Sequence, residues 1–318
     1  MMAKLKLAIY WSASCGGCDV AILDINERIL DVAAIADIVF WPIALDFKYS
    51  DVEAMEDKSI DICLFNGAVR TSEQEHLAKL LRAKSKAMVA FGACACFGGI
   101  PALANFTNRA EIFERAYIEA PSNDNSNHTF PQTLTTVEEG DLELPEFYDT
   151  VLTLAQVVDV EYFVPGCPPP VDIINKIVDA LASGQLPPVG TVLASDKSLC
   201  DECDRVKEEK KITRIYRPHE IIPEPEKCLL EQGIICMGPA TRGGCGQRCI
   251  KVNMPCRGCF GPPPGVIDQG AKMLSALASI YDVKDEAEIK QMVEEVVDPA
   301  GTFYRFAMSS SMLNRKRM

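Results

Sequence analysis

Cysteine is the residue type in this sequence with the most obvious chemistry, and it is concentrated near the C-terminal end. Six cysteines fall within one short stretch rich in glycine and proline: Cys228, Cys236, Cys245, Cys249, Cys256 and Cys259. The last four follow the pattern Cys-x3-Cys-x6-Cys-x2-Cys, and the glycines between them let the backbone wrap a small centre. Four thiolates can hold one zinc ion or one 4Fe-4S cluster, and local spacing does not decide between them.

Composition helps to decide whether these cysteines are metal ligands or form disulfides. The chain has 318 residues, of which 48% are apolar, 24% are charged and 14 are cysteine. It shows no signal-type leader and no apolar run long enough to span a membrane, so we expect a cytoplasmic protein in which cysteines are ligands rather than disulfides. A net charge of −13 argues against nucleic-acid binding, which needs a basic face.

The spacing of apolar residues in the first half of the chain indicates the strands and helices that position the remaining cysteines. The predicted strands are Leu5–Trp11, Asp37–Leu45, Ile60–Phe65, Ala87–Phe91 and Val160–Val164. The predicted helices follow the apolar spacing of Val20–Leu30, the capping box Ser72–Glu75 through about Lys84, and the prolines before a helix that ends at Ser183. Strands alternating with helices predict an α/β fold with a doubly wound parallel sheet.

The residue composition and the secondary-structure pattern change twice along the chain. Residues 120–149 are polar and too long for an ordinary connection, so they predict a surface excursion, either a solvated loop or a docking loop. Beyond residue 190 strand patterns stop, and only two helices are predicted, about Asp268–Ile280 and Asp285–Val297. We therefore predict a second, irregular, partly helical domain.

The predicted sheet brings a separate set of cysteines together. Cys15 and Cys18 follow the first strand, Cys94 follows the fourth and Cys167 follows the fifth. Ligands of an open parallel sheet bind outside the carboxyl ends of its strands, so these four thiols should meet at one edge. Zinc sites are usually built from two local pairs, and an assembly from three loops therefore favours an iron-sulfur cluster.

Three motifs carry a family resemblance. They are Cys15-Gly-Gly-Cys18, Gly92-Ala-Cys94-Ala-Cys-Phe-Gly-Gly-Ile-Pro101 and Pro165-Gly-Cys167-Pro-Pro169, in that order. With the second half from Cys200 to Cys259, they resemble the small subunit of nickel-iron hydrogenases, and most resemble the gamma subunit of the methyl-viologen-reducing, deazaflavin-non-reducing type from methanogens. The resemblance implies a flavodoxin-like domain at 1–190 and an iron-sulfur domain at 191–318.

The resemblance also implies three 4Fe-4S clusters and their ligands. The proximal ligands would be Cys15, Cys18, Cys94 and Cys167. The distal ligands would be Cys200, Cys203, Cys228 and Cys236. The medial ligands would be Cys245, Cys249, Cys256 and Cys259. Many relatives have histidine in place of Cys200, proline in place of the fourth medial ligand, and glutamate in place of Val20. The resemblance therefore does not extend to a proton route through that last position.

The function implied by this resemblance is electron transfer. The chain would relay electrons from dihydrogen oxidation at the nickel-iron centre of a separate large subunit, and it would hold no catalytic residue itself. The acceptor would be another iron-sulfur subunit, linked to a heterodisulfide reductase-type complex. The expected partners include no nucleic acid, and no membrane span is expected.

Two other functions fit part of the sequence. One is an iron-sulfur subunit of a complex-I-like quinone oxidoreductase, although such subunits lack a second set of eight cysteines and carry adjacent paired ones. The other is a non-redox zinc scaffold. The remaining cysteines are interpreted as non-ligands, Cys63 as a buried residue of a strand and Cys96 as a neighbour of the proximal ligand Cys94. The three histidines, His76, His128 and His219, are expected to be solvated.

Overall fold

The computed structural model describes residues 4–208, 211–283 and 285–313. Its strands are β1 Leu5–Trp11, β2 Ala36–Phe40, β3 Ile60–Asn66, β4 Val69–Thr71, β5 Ser85–Phe91, β6 Leu134–Val137, β7 Gly140–Glu143, β8 Phe147–Leu152 and β9 Tyr162–Val164. Its α-helices are α1 Gly17–Leu23, α2 Ile29–Ile35, α3 Tyr49–Glu53, α4 Ser72–Lys84, α5 Ala93–Phe97, α6 Arg109–Phe113, α7 Val171–Ser183, α8 Leu199–Glu202, α9 Arg248–Lys251, α10 Gln269–Ala278, α11 Glu286–Glu294 and α12 Pro299–Phe303.

Five parallel strands form the central sheet in the order β2-β1-β3-β5-β9. The chain leaves β1 on one side to form β2 and then crosses to the other side to form β3. This is the flavodoxin-like order, in which a crevice opens where the winding reverses. The predicted α/β fold with a doubly wound parallel sheet is confirmed.

The carboxyl ends of four neighbouring strands lie in one row. Trp11 is in register with Asn66, Asn66 with Phe91, and Phe91 with Val164. Each of these residues is the last of its strand. The loops that follow them therefore start at the same level of the sheet and meet above one edge.

Both faces of the sheet are buried, which is why its strands read as nearly continuous apolar runs. One face contributes alternate residues such as Ile9, Leu64 and Phe91 to a core that also contains residues of α1, α2 and α7. The other face contributes Tyr10, Phe65 and other residues to a core shared with α4. Cys63 lies fully buried in this second core, as a strand residue should.

The helical pattern predicted over Val20–Leu30 is broken in the structure. Helix α1 ends at Leu23, and Asn26 has a φ of 55°, a left-handed conformation that an α-helix does not accommodate. The chain then resumes in α2. Val20 and Leu23 are exposed, so their apolar character does not mark the buried face of the helix.

Two other boundaries differ from the sequence prediction for local reasons. The strand predicted to reach Leu45 ends at Phe40, because a turn begins at Trp41, whose carbonyl accepts hydrogen bonds from the amides of Ala44 and Leu45. Helix α4 has the predicted bounds, but its capping box is one residue earlier. Thr71 is extended and accepts from the amide of Gln74, so Thr71 is the N-cap.

The predicted surface excursion at 120–149 is more ordered than expected. It contains the antiparallel hairpin β6–β7, in which every residue is exposed, and the start of β8. Strand β8 pairs antiparallel with β4 in a separate two-stranded sheet. The segment is therefore an exposed hairpin anchored to the first half of the chain rather than a simple loop.

Beyond β9 the described residues form helices, turns and isolated bridges. The helices predicted from Asp268 and Asp285 are α10 and α11, and each aspartate is the N-cap. Its carboxylate accepts from the amide three residues further on, Ala271 at 2.8 Å and Glu288 at 3.0 Å. Asp268 also accepts from the amide of Met312 at 2.9 Å, which ties the last described residues to α10.

The two halves of the chain share a hydrophobic core. Ala102 and Val151 of the first half pack in the same buried cluster as Leu277 and Met308 of the second. The C-terminal segment also hydrogen bonds to the first half, since the amide of Gly99 donates to the carbonyl of Phe306 at 3.1 Å. The domain boundary near residue 190 stays a prediction.

Arg205 joins three segments of the cysteine-rich half. Its side chain is buried, and it donates through Nη1 to the carbonyls of Glu224 and Lys227, both at 2.9 Å. Through Nη2 it donates to the carbonyl of Ile250 at 3.2 Å and to Asn253 Oδ1 at 2.6 Å. One guanidinium thus connects the backbones beside Cys203, Cys228 and Cys249.

Replacing Arg205 by alanine should destabilise this half of the chain. The change removes a buried side chain and the four hydrogen bonds by which it joins these segments, so we expect a loss of about 3 kcal/mol in the free energy of unfolding. The measurement is the urea midpoint of the anaerobically purified subunit, followed by circular dichroism. Arg115→Ala is the control, because Arg115 is 75% exposed and its ion pair with Glu119 contributes little. Equal midpoints for the two variants would contradict the assigned role.

Candidate metal centres

The first set of thiols stands above the row of strand ends. Cys15 lies in the loop after β1, Cys18 in α1, Cys94 in α5 after β5, and Cys167 in the loop after β9. Two hydrogen bonds join the segments that follow β5 and β9. The amide of Gly92 donates to the carbonyl of Val164 at 2.8 Å, and the amide of Ala93 donates to the carbonyl of Gly166 at 2.7 Å.

These four thiols are near enough to influence one another's ionisation. Burial raises the pKa of Cys18, and the thiols of Cys94, Cys167 and Cys15 raise it further. Burial, with Cys167 and Cys15, raises the pKa of Cys94 to about 12. Cys167 shows the same direction of shift in its pKa, through burial and then Cys15. Thiols this close together form a donor set for a positively charged centre.

Two glycines make room for this set. A Cβ at Gly92 would lie 2.4 Å from Cys18 Sγ, and a Cβ at Gly99 would lie 2.4 Å from Cys94 Sγ. Both residues have positive φ, 89° and 59°, which also favours glycine. The backbone therefore approaches the sulfur atoms more closely than any other residue type would allow. This cradle fits a compact centre with amide groups around its sulfurs.

A buried carboxylate that the sequence analysis did not identify supports the β1 loop. Asp19 is 4% exposed, and its two oxygens accept from Trp41 Nε1 and Asn66 Nδ2, both at 2.9 Å. Asn66 Oδ1 in turn accepts from Ser14 Oγ at 3.2 Å. This network fixes the start of α1, and with it Cys18, against the end of β3.

Cys96 faces away from the first set. Its thiol is buried in the core on the α4 face of the sheet and donates to the carbonyl of Ala90 at 3.2 Å. Its place in that core favours Cys94 as the ligand from this helix.

The second set lies in the C-terminal half. Cys200 is in α8, Cys203 follows that helix, and Cys228 and Cys236 flank a short helical turn. Burial, with the thiols of Cys236, Cys228 and Cys203, raises the pKa of Cys200 to about 12, although Lys207 opposes the shift. Burial raises the pKa of Cys236 to about 11, although the backbone amides of Gly238 and Cys256 donate to its sulfur and lower the pKa.

The third set lines a single cavity of about 280 Å³. The four cysteines of the Cys-x3-Cys-x6-Cys-x2-Cys pattern all border this cavity: Cys245, Cys249, Cys256 and Cys259. Its walls also include Leu199, Ile250 and Phe260, so the space is largely apolar. An apolar cavity with four thiols on its wall fits an iron-sulfur cluster, whose ligands are cysteine sulfurs.

The third set lies between the other two. Cys167 of the first set borders the same cavity. Burial raises the pKa of Cys259 to about 12, and Cys167 is the thiol that adds most to this shift. On the other side, the amide of Cys256 donates to Cys236 Sγ at 3.3 Å. The three sets therefore form one continuous chain in the order first, third, second.

Nothing in the described ranges matches a mononuclear metal site. Within residues 4–208, 211–283 and 285–313, no three histidine, cysteine, aspartate or glutamate side chains are grouped to hold a single metal ion. The three histidines are exposed, as expected.

Comparisons with known proteins agree with these features. The family model "NADH ubiquinone oxidoreductase, 20 Kd subunit" matches residues 15–181. The chain is 45% identical over 318 residues to the iron-sulfur subunit of the F420-non-reducing hydrogenase of Archaeoglobus profundus, covering 98% of each.

Two solved structures are similar as well. A chain of a NAD+-reducing nickel-iron hydrogenase aligns with a TM-score of 0.50 at 27% identity, over 58% of this chain and 94% of that one. A chain of the nickel-iron-selenium hydrogenase of Dm. baculatum aligns with a TM-score of 0.53 at 19% identity, over 83% of this chain and 96% of that one, and shows the shared fold.

Fold and thiol sets define an iron-sulfur, electron-transferring subunit of a nickel-iron hydrogenase. Its hydrogen-activating site lies on the partner large subunit. More narrowly, the chain belongs to the family of iron-sulfur subunits of F420-non-reducing hydrogenases. The match to the 20 kDa family model ends at residue 181, before the eight cysteines of the second and third sets. The match to the Archaeoglobus profundus hydrogenase subunit covers 98% of the chain and so includes them. The complex-I-like alternative therefore accounts for less of the chain.

Among the described residues no helix is both long and apolar enough to cross a membrane. The cytoplasmic location stays a prediction.

Replacing Gly99 by alanine should prevent the first set of cysteines from binding its metal centre. The new Cβ would collide with Cys94 Sγ at 2.4 Å and with Cys94 Cα at 2.7 Å, so the ligand itself must move. We expect the anaerobically purified complex to lose about four iron atoms per chain. Gly184→Ala is the matched control, because Gly184 has a similar φ of 68° and no atom within 4 Å of its added Cβ. Equal iron contents in the two variants would show that the close approach at Gly99 is not needed.

Proposed function

We propose that the chain is a three-site electron relay, with one 4Fe-4S cluster at each thiol set. The first set would be the proximal site, with Cys15, Cys18, Cys94 and Cys167. The third would be the medial site, with Cys245, Cys249, Cys256 and Cys259. The second would be the distal site, with Cys200, Cys203, Cys228 and Cys236. In this proposal residues 1–190 carry the proximal site and residues 191–318 the other two.

The observation that carries the proposal is the continuity of the thiol sets. Cys167 borders the medial cavity, and the backbone of Cys256 hydrogen bonds to a distal thiol. When bound, clusters at these positions would supply one-electron carriers between which an electron can move. The protein's own contribution is to hold the thiols, to exclude water with walls such as Leu199 and Phe260, and to aim backbone amides at the sulfurs.

The proximal end of the relay is suited to contact the large subunit. Cys15 and Cys167 are exposed. Apolar side chains beside these loops are exposed too: Trp11 by 40%, Val20 by 58% and Ile100 by 52%. Burying this surface against the large subunit would remove apolar area from water and shield the proximal site.

The distal end is suited to deliver electrons to an acceptor. Cys200 and Cys228 line a cavity of about 380 Å³, together with Lys207 and Lys272. Asp201 and Glu231 line the same cavity, so its rim carries charges of both signs with which a complementary acceptor surface could pair. We propose that the acceptor is an iron-sulfur subunit of a heterodisulfide reductase-type complex, and co-purification of the native complex tests its identity.

Metal analysis tests the relay directly. With three cubane sites, the anaerobically purified complex should contain about twelve iron atoms and as much acid-labile sulfide per chain, beyond the iron of the large subunit. Cys96→Ser is the control that should leave this number unchanged, because Cys96 lies in the apolar core. Mainly zinc, or about four iron atoms per fully loaded chain, would refute three clusters.

The variant Cys249→Pro tests the fourth medial ligand. A cubane that loses one thiolate can release the iron it held, so a three-iron cluster should replace one four-iron cluster. Paramagnetic resonance of the oxidised complex should then show a new three-iron signal, and the reduced complex should lose one four-iron signal. If all four-iron signals stay unchanged, Cys249 is not a ligand.

A further inference from the structure

Arg257 is a half-buried cation between two cavities. It lies between the medial cysteines Cys256 and Cys259 in sequence and borders the medial cavity together with them and Cys249. It also borders a second space of about 280 Å³, which we call the outer cavity. Other residues that line the outer cavity are Arg217, His219, Glu295, Asp298 and Arg305.

No carboxylate in the described part of the chain forms an ion pair with Arg257 within 4.0 Å. The acidic residues of the outer cavity have other partners: Glu295 accepts from the amide of Ile215 at 2.7 Å, and Asp298 caps α12 through the amide of Gly301 at 2.8 Å. Burial lowers the pKa of Arg257, and Arg305, which has the same sign and lines the same cavity, lowers it further.

The groups that surround Arg257 in the medial cavity are the cysteines of the medial set, Cys245, Cys249, Cys256 and Cys259. The residue before it, Cys256, donates its amide to Cys236 Sγ of the distal set at 3.3 Å. Arg257 therefore lies beside the medial set and next to the point where the medial and distal sets meet.

Arg248 provides an internal contrast. It borders the medial cavity as well, but its side chain is 57% exposed and pairs with Asp172. A charge that is both hydrated and neutralised by a neighbour acts weakly at a distance. Of these two arginines, Arg257 is thus the one whose charge is directed at the thiols.

We propose that Arg257 is the countercharge of the medial and distal sites, raising the reduction potentials of the clusters held there. The inference rests on the proposed function. A cubane with four thiolates becomes more negative on reduction, and a fixed cation close by stabilises the reduced form. Arg257 thereby offsets the negative charge of Cys249, the thiolate that many related chains lack.

Redox titration of the assembled hydrogenase, followed by paramagnetic resonance, tests this role. In Arg257→Gln, the ratio of reduced to oxidised medial cluster at a fixed potential should fall by about tenfold, equal to about 59 mV for one electron. The distal signal should shift in the same direction. Arg257→Lys keeps the charge and should titrate close to the unmodified protein, whereas Arg248→Gln should shift less than Arg257→Gln.

Arg305→Glu tests the same charge without altering the ligand loop. It borders only the outer cavity and would give Arg257 a carboxylate partner, so both signals should shift in the same direction by a smaller amount. If Arg257→Gln fails to load its clusters, this variant decides the question. Unchanged potentials in Arg305→Glu and in any loaded Arg257→Gln protein would overturn the inference. Iron content measured on the same samples reports separately on the number of clusters.

Discussion

Burial of cysteine thiols close to one another is the constraint on which the rest of this structure depends. Each set contains a cysteine, Cys94, Cys200 or Cys259, whose pKa is raised by burial and raised further by neighbouring thiols. In the proposed relay a positive centre would replace the protons of such thiols, so metal binding and the folding of the surrounding loops would be linked. Backbone amides directed at sulfur, as from Gly238 to Cys236, favour the ionised form of the thiol.

The proximal set could be placed from the sequence because its geometry follows from the sheet. Apolar runs fix where β1, β5 and β9 end, and parallel strands end at a common edge, so Cys18, Cys94 and Cys167 must approach one another. The network of Asp19 could not be foreseen, since it joins α1 directly to Asn66 of β3 and separately to Trp41, and no local pattern relates these positions.

The medial and distal sets are different, because the cysteine-rich half has little hydrophobic periodicity. Its path is set by turns and by single long-range contacts such as those of Arg205, and spacing alone does not say which thiols share a site. Their grouping came from the family resemblance. The aspartates that begin α10 and α11 are an exception, since a cap is a local signal.

The C-terminal segment lies beside the proximal site although it is far from that site in sequence. Phe306 accepts from the amide of Gly99, and Ser309 packs against Gly98 and accepts from Asn105. Gly99 is the residue that leaves room for Cys94. The loop that carries Cys94 therefore has its full set of contacts only when the last-made part of the described chain is folded against it.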